Sequence, residues 1–412
     1  MSDRPTKRES GFSLLEMTIS IALGAIVLGA AVQIYIQGVK ATWTTTQRAE
    51  LQQDFRAASN ILTKDLSLAG AGLTQGAAIA LPSGTAPLYG CAQTASPYFC
   101  YINNSSSGAY PAGSVAYPTQ GATYYLYGLL PGYNDGPTLL TAQGATDVVT
   151  VAYTDANLYL DCYTAAITST TTVTFTLPTP VAPATGSANC TAPGGNAGVQ
   201  AANDSAVGLT AGDLVLFTFG TTNVVAEVTA VTGTTAAGTV PAAGTVYTVT
   251  FAAGDALNMN QGKTINNSLA YQFTNGPVTG YATRILVISY YIDNSPNPPR
   301  LMQQVSGHSW APVAENVVYM KFSYDMYNSS SGSAVVNQCQ PGNNTTACNL
   351  LNGSTGSSGL LPNQITKINI LNMAMDSTLN GSLLGQGGGY QRLDLQTSVS
   401  ARNLTYVNNY PN

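Results

Sequence analysis

Gly11-Phe12-Ser13-Leu14-Leu15-Glu16-Met17 opens an uninterrupted apolar run, FSLLEMTISIALGAIVLGAAVQIYI, which extends from Phe12 to Ile36 and decides how the rest of the chain is read. Its 25 residues exceed the roughly 20 that a helix needs to cross a bilayer, and its only charge is Glu16. The segment before it, MSDRPTKRESG, is polar and carries Arg4, Lys7 and Arg8. Positive charge on that side holds the amino terminus in the cytoplasm and sends residues 37–412 across the membrane. A secretory signal would have a shorter apolar core with small residues on its far side, whereas here Gly11 precedes the run. A carboxylate this deep costs about 2.5 to 3.5 kcal/mol on insertion, so Glu16 needs a partner or an interface. A cut after Gly11 would supply one in the new amine of Phe12. A single-pass anchor whose glutamate snorkels or is protonated near its cytoplasmic end is the other reading.

The helical pattern continues past the membrane, with no proline between Pro5 and Pro82. Leu51, Phe55, Ala58, Leu62 and Leu66 recur at spacings of three and four, one face of an amphipathic helix, and Gly70 and Gly72 supply a stop. The pattern predicts one helix from Phe12 to about Ala69, roughly 85 to 90 Å long at 1.5 Å per residue. Gly24, Gly29 and Gly38 permit close helix approach, either in an apolar bundle or in a membrane dimer.

The segment Gly11 to Met17 resembles the processing motif of type IV pilins and type II secretion pseudopilins. The resemblance implies that a prepilin peptidase cuts between Gly11 and Phe12 and methylates the new terminus. It also implies that Glu16 pairs with a neighbouring subunit's amine during assembly. RAASNILTKDLSLAGAGL, Arg56 to Leu73, is similar to the end of the stem in the PilW minor pilins, and the J-type pseudopilin is the nearest competitor. DVVTVAY from Asp147, DLVLFTF from Asp213, VAENVVYMKFSYD from Val313 to Asp325, the ITKINILNMAM run and Ala401-Arg402-Asn403 resemble later segments of that family. The likeness is strong over residues 11–73, patchy over 140–160 and 280–405, and essentially absent elsewhere. It implies a structural, non-enzymatic minor pilin of low copy, placed near the tip and helping to start assembly. Its partners would be the prepilin peptidase, other major and minor pilins and, before assembly, the inner membrane. Its head would be periplasmic, then extracellular on the pilus.

Without the family, the region beyond residue 140 reads as strands. TTVTFTL at 171–177, VVAEVTAV at 224–231, VYTVTF at 246–251 and RILVISYYI at 284–292 are β-branched or aromatic and flanked by turn residues such as Asn134-Asp135-Gly136 and Asn352-Gly353. The predicted class is α+β, a long amino-terminal helix packed on an antiparallel sheet head. The expected divisions are a leader at 1–11, a stem at 12–70, a Tyr- and Gly-rich insertion at 71–140, and a β-rich head at 141–412 with a further insertion at about 160–280.

Charge excludes one class of partner. Only 33 residues, 8% of the chain, are charged, and no basic residue lies between Lys64 and Lys263. A surface without Lys or Arg cannot release counterions from a phosphate backbone, so nucleic acid is not an expected partner. Catalytic signals are also poor. The single histidine, His308, sits in SGHSWAP and reads as a turn residue; GxSxG, HExxH, GxGxxG and Walker patterns are absent. Asp293, Asp325 and the Tyr133–Gly136 turn offer oxygen ligands without the calcium-loop spacing, so neither metal nor cofactor is expected.

Six cysteines fall into local pairs, Cys91 with Cys100, Cys162 with Cys190 and Cys339 with Cys348. Even number, polar loops and low charge point to disulfides in an oxidising compartment; reduced structural cysteines are the other reading, and six cysteines allow about 15 pairings. Tyr89, Tyr98, Tyr101, Tyr110, Tyr117, Tyr124, Tyr125, Tyr127 and Tyr133 crowd one Gly-, Ser- and Pro-rich stretch. Tyrosine gives large contact area at low conformational cost, which suits a recognition surface for a host or other surface ligand, and hence an adhesin. Rings that cover the head or pack the Cys91 to Cys100 loop are the alternative.

Overall fold

The computed structural model describes residues 12–73, 78–90, 114–178, 199–294, 298–308, 310–328, 334–339, 361–380 and 389–404. The chain divides into two compact units, residues 1–53 with 377–392, and residues 54–376 with 393–412. The second begins well before the stem-to-head boundary expected at residue 70.

One helix, Leu14–Leu68, accounts for the 55 residues of the stem and agrees with the expected Phe12–Ala69 to within a turn. In the first unit its apolar side chains face outward; Leu23 is 58% and Leu28 69% exposed. Polar contacts begin further along, where Thr44 and Gln47 are buried and Arg48 Nε donates to Gln391 Oε1 at 3.0 Å. The backbone N–H of Gln391 in turn donates to Ser377 Oγ at 2.9 Å.

In the second unit the same helix turns one face to a core. Phe55, Ala58, Leu62 and Leu66 are buried as the spacing predicts, each large side chain worth about 2 kcal/mol in transfer free energy. The helix ends where Gly70 and Gly72 take φ of +78° and +72°, the left-handed conformation that favours glycine. A Cβ on residue 72 would overlap Thr154 Oγ1 at 1.9 Å, and the N–H of Gly70 donates to the carbonyl of Ala152 at 2.8 Å. The helix terminus is thus stitched to the strand Val148–Thr154.

That strand belongs to an antiparallel sheet of 11 strands organised around the long strand Thr279–Asp293. Each edge of the long strand changes partner along its length. One edge runs from Ala165–Ala166 to Val149–Thr154, the other from Leu214–Thr218 to Arg300–Val305. Residues 160–280, expected as an insertion, add the strands Thr164–Ser169, Thr172–Thr176, Leu214–Phe219, Thr222–Glu227 and Val246–Thr250 to this same sheet. Phe175, Phe217, Phe219 and Phe251 fill one core there, with Phe217 and Phe219 stacked at 5.7 Å. A four-stranded sheet, in the order Ala334–Cys339, Val317–Asn328, Ile365–Asn380, Tyr390–Ser400, follows. The stretch Val313–Asp325 is broken at Asn316, whose φ of 61° ends one strand, Trp310–Glu315, before the next begins.

The tyrosine-rich stretch requires a correction. Tyr117 and Tyr127, read as recognition residues, are each 1% exposed and belong to the core with Ile79, Leu81, Leu126 and Leu257. Tyr124 and Tyr125 are half-buried against that core. The Tyr89 ring packs against Tyr117 with centroids 4.9 Å apart and planes tilted by 52°. Burial of an amphipathic ring in a region poor in aliphatic residues outweighs its use as a contact surface. Tyr98, Tyr101 and Tyr110 lie outside the described residues.

Candidate functional site

The helix carries the functional features at its two ends. Gly11 lies outside the described residues, and Phe12 beside it is 89% exposed. In the first turn the N–H of Ser13 donates to Glu16 Oε2 at 3.0 Å, and the N–H of Glu16 donates to Ser13 Oγ at 3.2 Å. This reciprocal capping box satisfies two N–H groups that a helix start leaves without partners. The spacing Ser13-x-x-Glu16 carries it in the sequence, a local role beside the assembly and snorkelling-anchor readings of Glu16. The helix that follows contains an 18-residue window of mean hydropathy 2.2, none of it buried, long and apolar enough to cross a membrane.

At the other end Asp65 is 6% exposed. Tyr153 Oη donates to its Oδ1 at 3.2 Å, while Tyr290 Oη and Gln303 Nε2 donate to Oδ2 at 2.5 and 3.2 Å. The donors come from three neighbouring strands, and Tyr290 and Gln303 face each other directly across the ladder. Burial, reinforced by the Asp65 charge, pushes both phenols well above the ordinary tyrosine range, so they stay protonated and able to donate. Asp65 thus ties the stem to the central sheet through neutral donors. Asn403 adds a contact to the same end of the helix, its Nδ2 donating to the carbonyl of Ser67 at 3.4 Å.

Further charged groups stiffen the head. Arg284 bridges Asp155 and Asp213, and His308 Nε2 lies 2.9 Å from Asp213 Oδ1. Burial would raise the Asp213 carboxyl, but the His308 and Thr210 hydrogen bonds and the Arg284 charge hold it below its ordinary value. His308 follows the strand Arg300–Val305 in a turn, as expected, and its partner 95 residues away was invisible in the sequence. Glu227 is pushed up to about 8 by burial and by its hydrogen bond to Asp255, and its Oε2 accepts from the N–H of Leu257 at 2.8 Å. A cavity of about 360 Å³ is lined by Thr171, Phe251, Asn260, Lys263, Leu269 and Ala270 among others. Its Asn260 amide is consumed by the backbone oxygens of Glu227 and Ala252. Cys162 and Cys339 are both half-cystines, while Cys91, Cys100, Cys190 and Cys348 lie outside the described residues.

Residues 6–32 match the prokaryotic N-terminal methylation motif. That match, continuous with the exposed apolar helix, supports a type IV pilin-like protein and fits a membrane-anchored amino terminus. The motif marks a structural kind of subunit, processed by prepilin peptidase and partnered by pilins in general. No curated protein matches the chain, and no solved structure does.

Proposed function

We propose that the chain is a minor type IV pilin, of the PilW kind, incorporated at low copy near the pilus tip and helping to initiate assembly. The observation that carries this reading is the methylation motif at the start of a helix that runs unbroken into the large unit from residue 54 onward. A head this bulky is hard to repeat along a thin filament, which argues against a major subunit. In this reading the amino terminus faces the cytoplasm, prepilin peptidase cuts between Gly11 and Phe12, and the new Phe12 amine is methylated. Glu16 then pairs with the amine of an adjoining pilin, as an isolated carboxylate in an apolar run requires. The cysteines pair as Cys91–Cys100, Cys162–Cys190 and Cys339–Cys348. Of the tyrosines read as a recognition surface, Tyr117 and Tyr127 are inside the core, which leaves Tyr98, Tyr101, Tyr110 and the half-buried Tyr124 and Tyr125 for an adhesive role.

Mass spectrometry of sheared pili tests the proposal, together with pilus counts in a deletion strain. A low-copy chain beginning at methylated Phe12, and a deletion strain with few or no pili, is the expected result. Absence of the chain from sheared pili together with normal piliation in the deletion strain would overturn it.

A further inference from the structure

Lys321 lies within the strand Val317–Asn328 and is 8% exposed, a place where lysine is almost never found unpaired. Its Nζ touches two groups at once, Asp147 Oδ1 and Asn134 Oδ1, each at 2.5 Å. The ring of Tyr133 covers it, with the centroid 4.3 Å away. Asp147 is 2% exposed and is gripped from both sides. Its Oδ1 accepts from the N–H of Asn134 at 2.8 Å and its Oδ2 from the N–H of Phe322 at 2.9 Å. One carboxylate therefore holds the main chain beside both the amine and the carboxamide.

An ion pair alone would need only Lys321 and Asp147, and taking both charges out of water costs several kcal/mol per ion before their attraction offsets it. The third group changes the chemistry available. The Asn134 carboxamide carbon is one bond from an oxygen already in contact with the amine, and holding two reactants so close replaces a bimolecular encounter. We propose that Lys321 and Asn134 become joined by an intramolecular isopeptide bond, with Asp147 as the proton-transferring catalytic residue.

The step balances without oxidant, metal or cofactor. The Lys321 ammonium gives a proton to Asp147, leaving a neutral amine and a neutral acid. Burial favours the neutral acid; it pushes the Asp147 carboxyl upward, against the pull of Lys321 and the hydrogen bonds from Asn134 and Phe322. The amine lone pair attacks Cγ of Asn134, forming the N–C bond as the C=O electron pair moves to Oδ1. Collapse of that intermediate breaks the bond from Cγ to Nδ2. Asp147 passes its first proton to the departing nitrogen, and the second proton lost by Nζ leaves with it, so the amide forms and one ammonium departs. Asn134 sits in an exposed turn, which gives the ammonium a way out.

The link would span 187 residues of chain, from the turn after the strand Leu129–Gly132 of the 11-stranded sheet to the strand Val317–Asn328 of the four-stranded sheet. It does not depend on the pilin reading.

Intact mass of the purified, reduced full chain is the test, compared with the mass calculated from its own amino terminus. The wild type is expected to be lighter by one ammonia, and its digest to contain a branched peptide joining the Asn134 and Lys321 segments, uncut by trypsin after Lys321. Lys321→Arg and Asp147→Asn are expected at full mass; the second keeps both joined residues and removes only the proton carrier. Asn134→Gly suits the φ of 58° and gives a folded control, checked by circular dichroism, also at full mass. Wild type at full mass, Lys321 cleaved normally, Asn134 deamidated instead of joined, or an ammonia loss that persists in Asn134→Gly would each overturn the proposal.

Discussion

Along the helix Leu14–Leu68, Glu16 stands among exposed apolar side chains, bonded to its own first turn, whereas Asp65 is buried beneath three strands and accepts three hydrogen bonds. The two carboxylates divide the helix by environment. Asp65 has its donors within the fold, so it fixes the helix to the head and is complete in a single chain. Glu16 holds one local N–H and has further acceptor capacity, which in the proposed reading the amine of an adjoining pilin would use. A helix that is apolar all round at one end and one-faced at the other is suited to an apolar bundle first and a globular core second.

Removing Glu16 is the severest way to test this division. Glu16→Ala is expected to abolish entry into filaments while leaving cleavage and head stability unchanged, read by immunoblotting of sheared and membrane fractions. Efficient incorporation would break the comparison at its assembly end. Core truncation comes next. Leu62→Ala, at a fully buried position, should destabilise the head by about 3 kcal/mol in denaturant titration of the solubilised chain, and Leu23→Ala should leave it unchanged. Asp65→Asn keeps the shape but loses the charge that both tyrosines point at, and about 1.5 kcal/mol is the expected cost by the same titration. Equal effects at residues 23 and 62 would mean that the two ends of the helix are not distinct.

Glu227 sharpens the contrast with a third solution, a carboxyl that keeps its proton. Its value rises from 4.5 to about 8 on folding, so the folded state binds the proton more tightly. The stabilisation is complete below about 4.5 and is lost as pH climbs toward 8. Glu227→Gln, which mimics the protonated acid, should change stability at pH 5 by less than about 1 kcal/mol while flattening the decline between pH 5 and 8. A decline as steep in the variant as in the wild type would assign the pH dependence to other groups.

The helix was legible because its signals are local. The spacing of Phe55, Ala58, Leu62 and Leu66 and the two glycines at its end act within a few residues of each other. Strands were legible for the same reason, and the expected stretches 171–177, 246–251 and 284–292 fall on Thr172–Thr176, Val246–Thr250 and Thr279–Asp293. What joins them was not. The Asp65 donors lie 88, 225 and 238 residues away, and no periodicity records such a distance. The tyrosine stretch misled because Gly, Ser and Pro around a ring look the same whether the ring faces solvent or fills a core. Val313–Asp325 hid its break because Asn316 can take a positive φ without glycine.

The strand Thr279–Asp293 gives the head an order of construction. It touches partners from Val149 to Val305, so the sheet it organises cannot close until the chain past residue 305 has been made. Hairpins such as Leu214–Phe219 with Thr222–Glu227 can form early, but they must wait with one edge open. Closure through such distant pairings is intrinsically slow, and open edges invite wrong partners. The period between synthesis and completion is therefore when this chain most needs to be shielded from wrong strand partners.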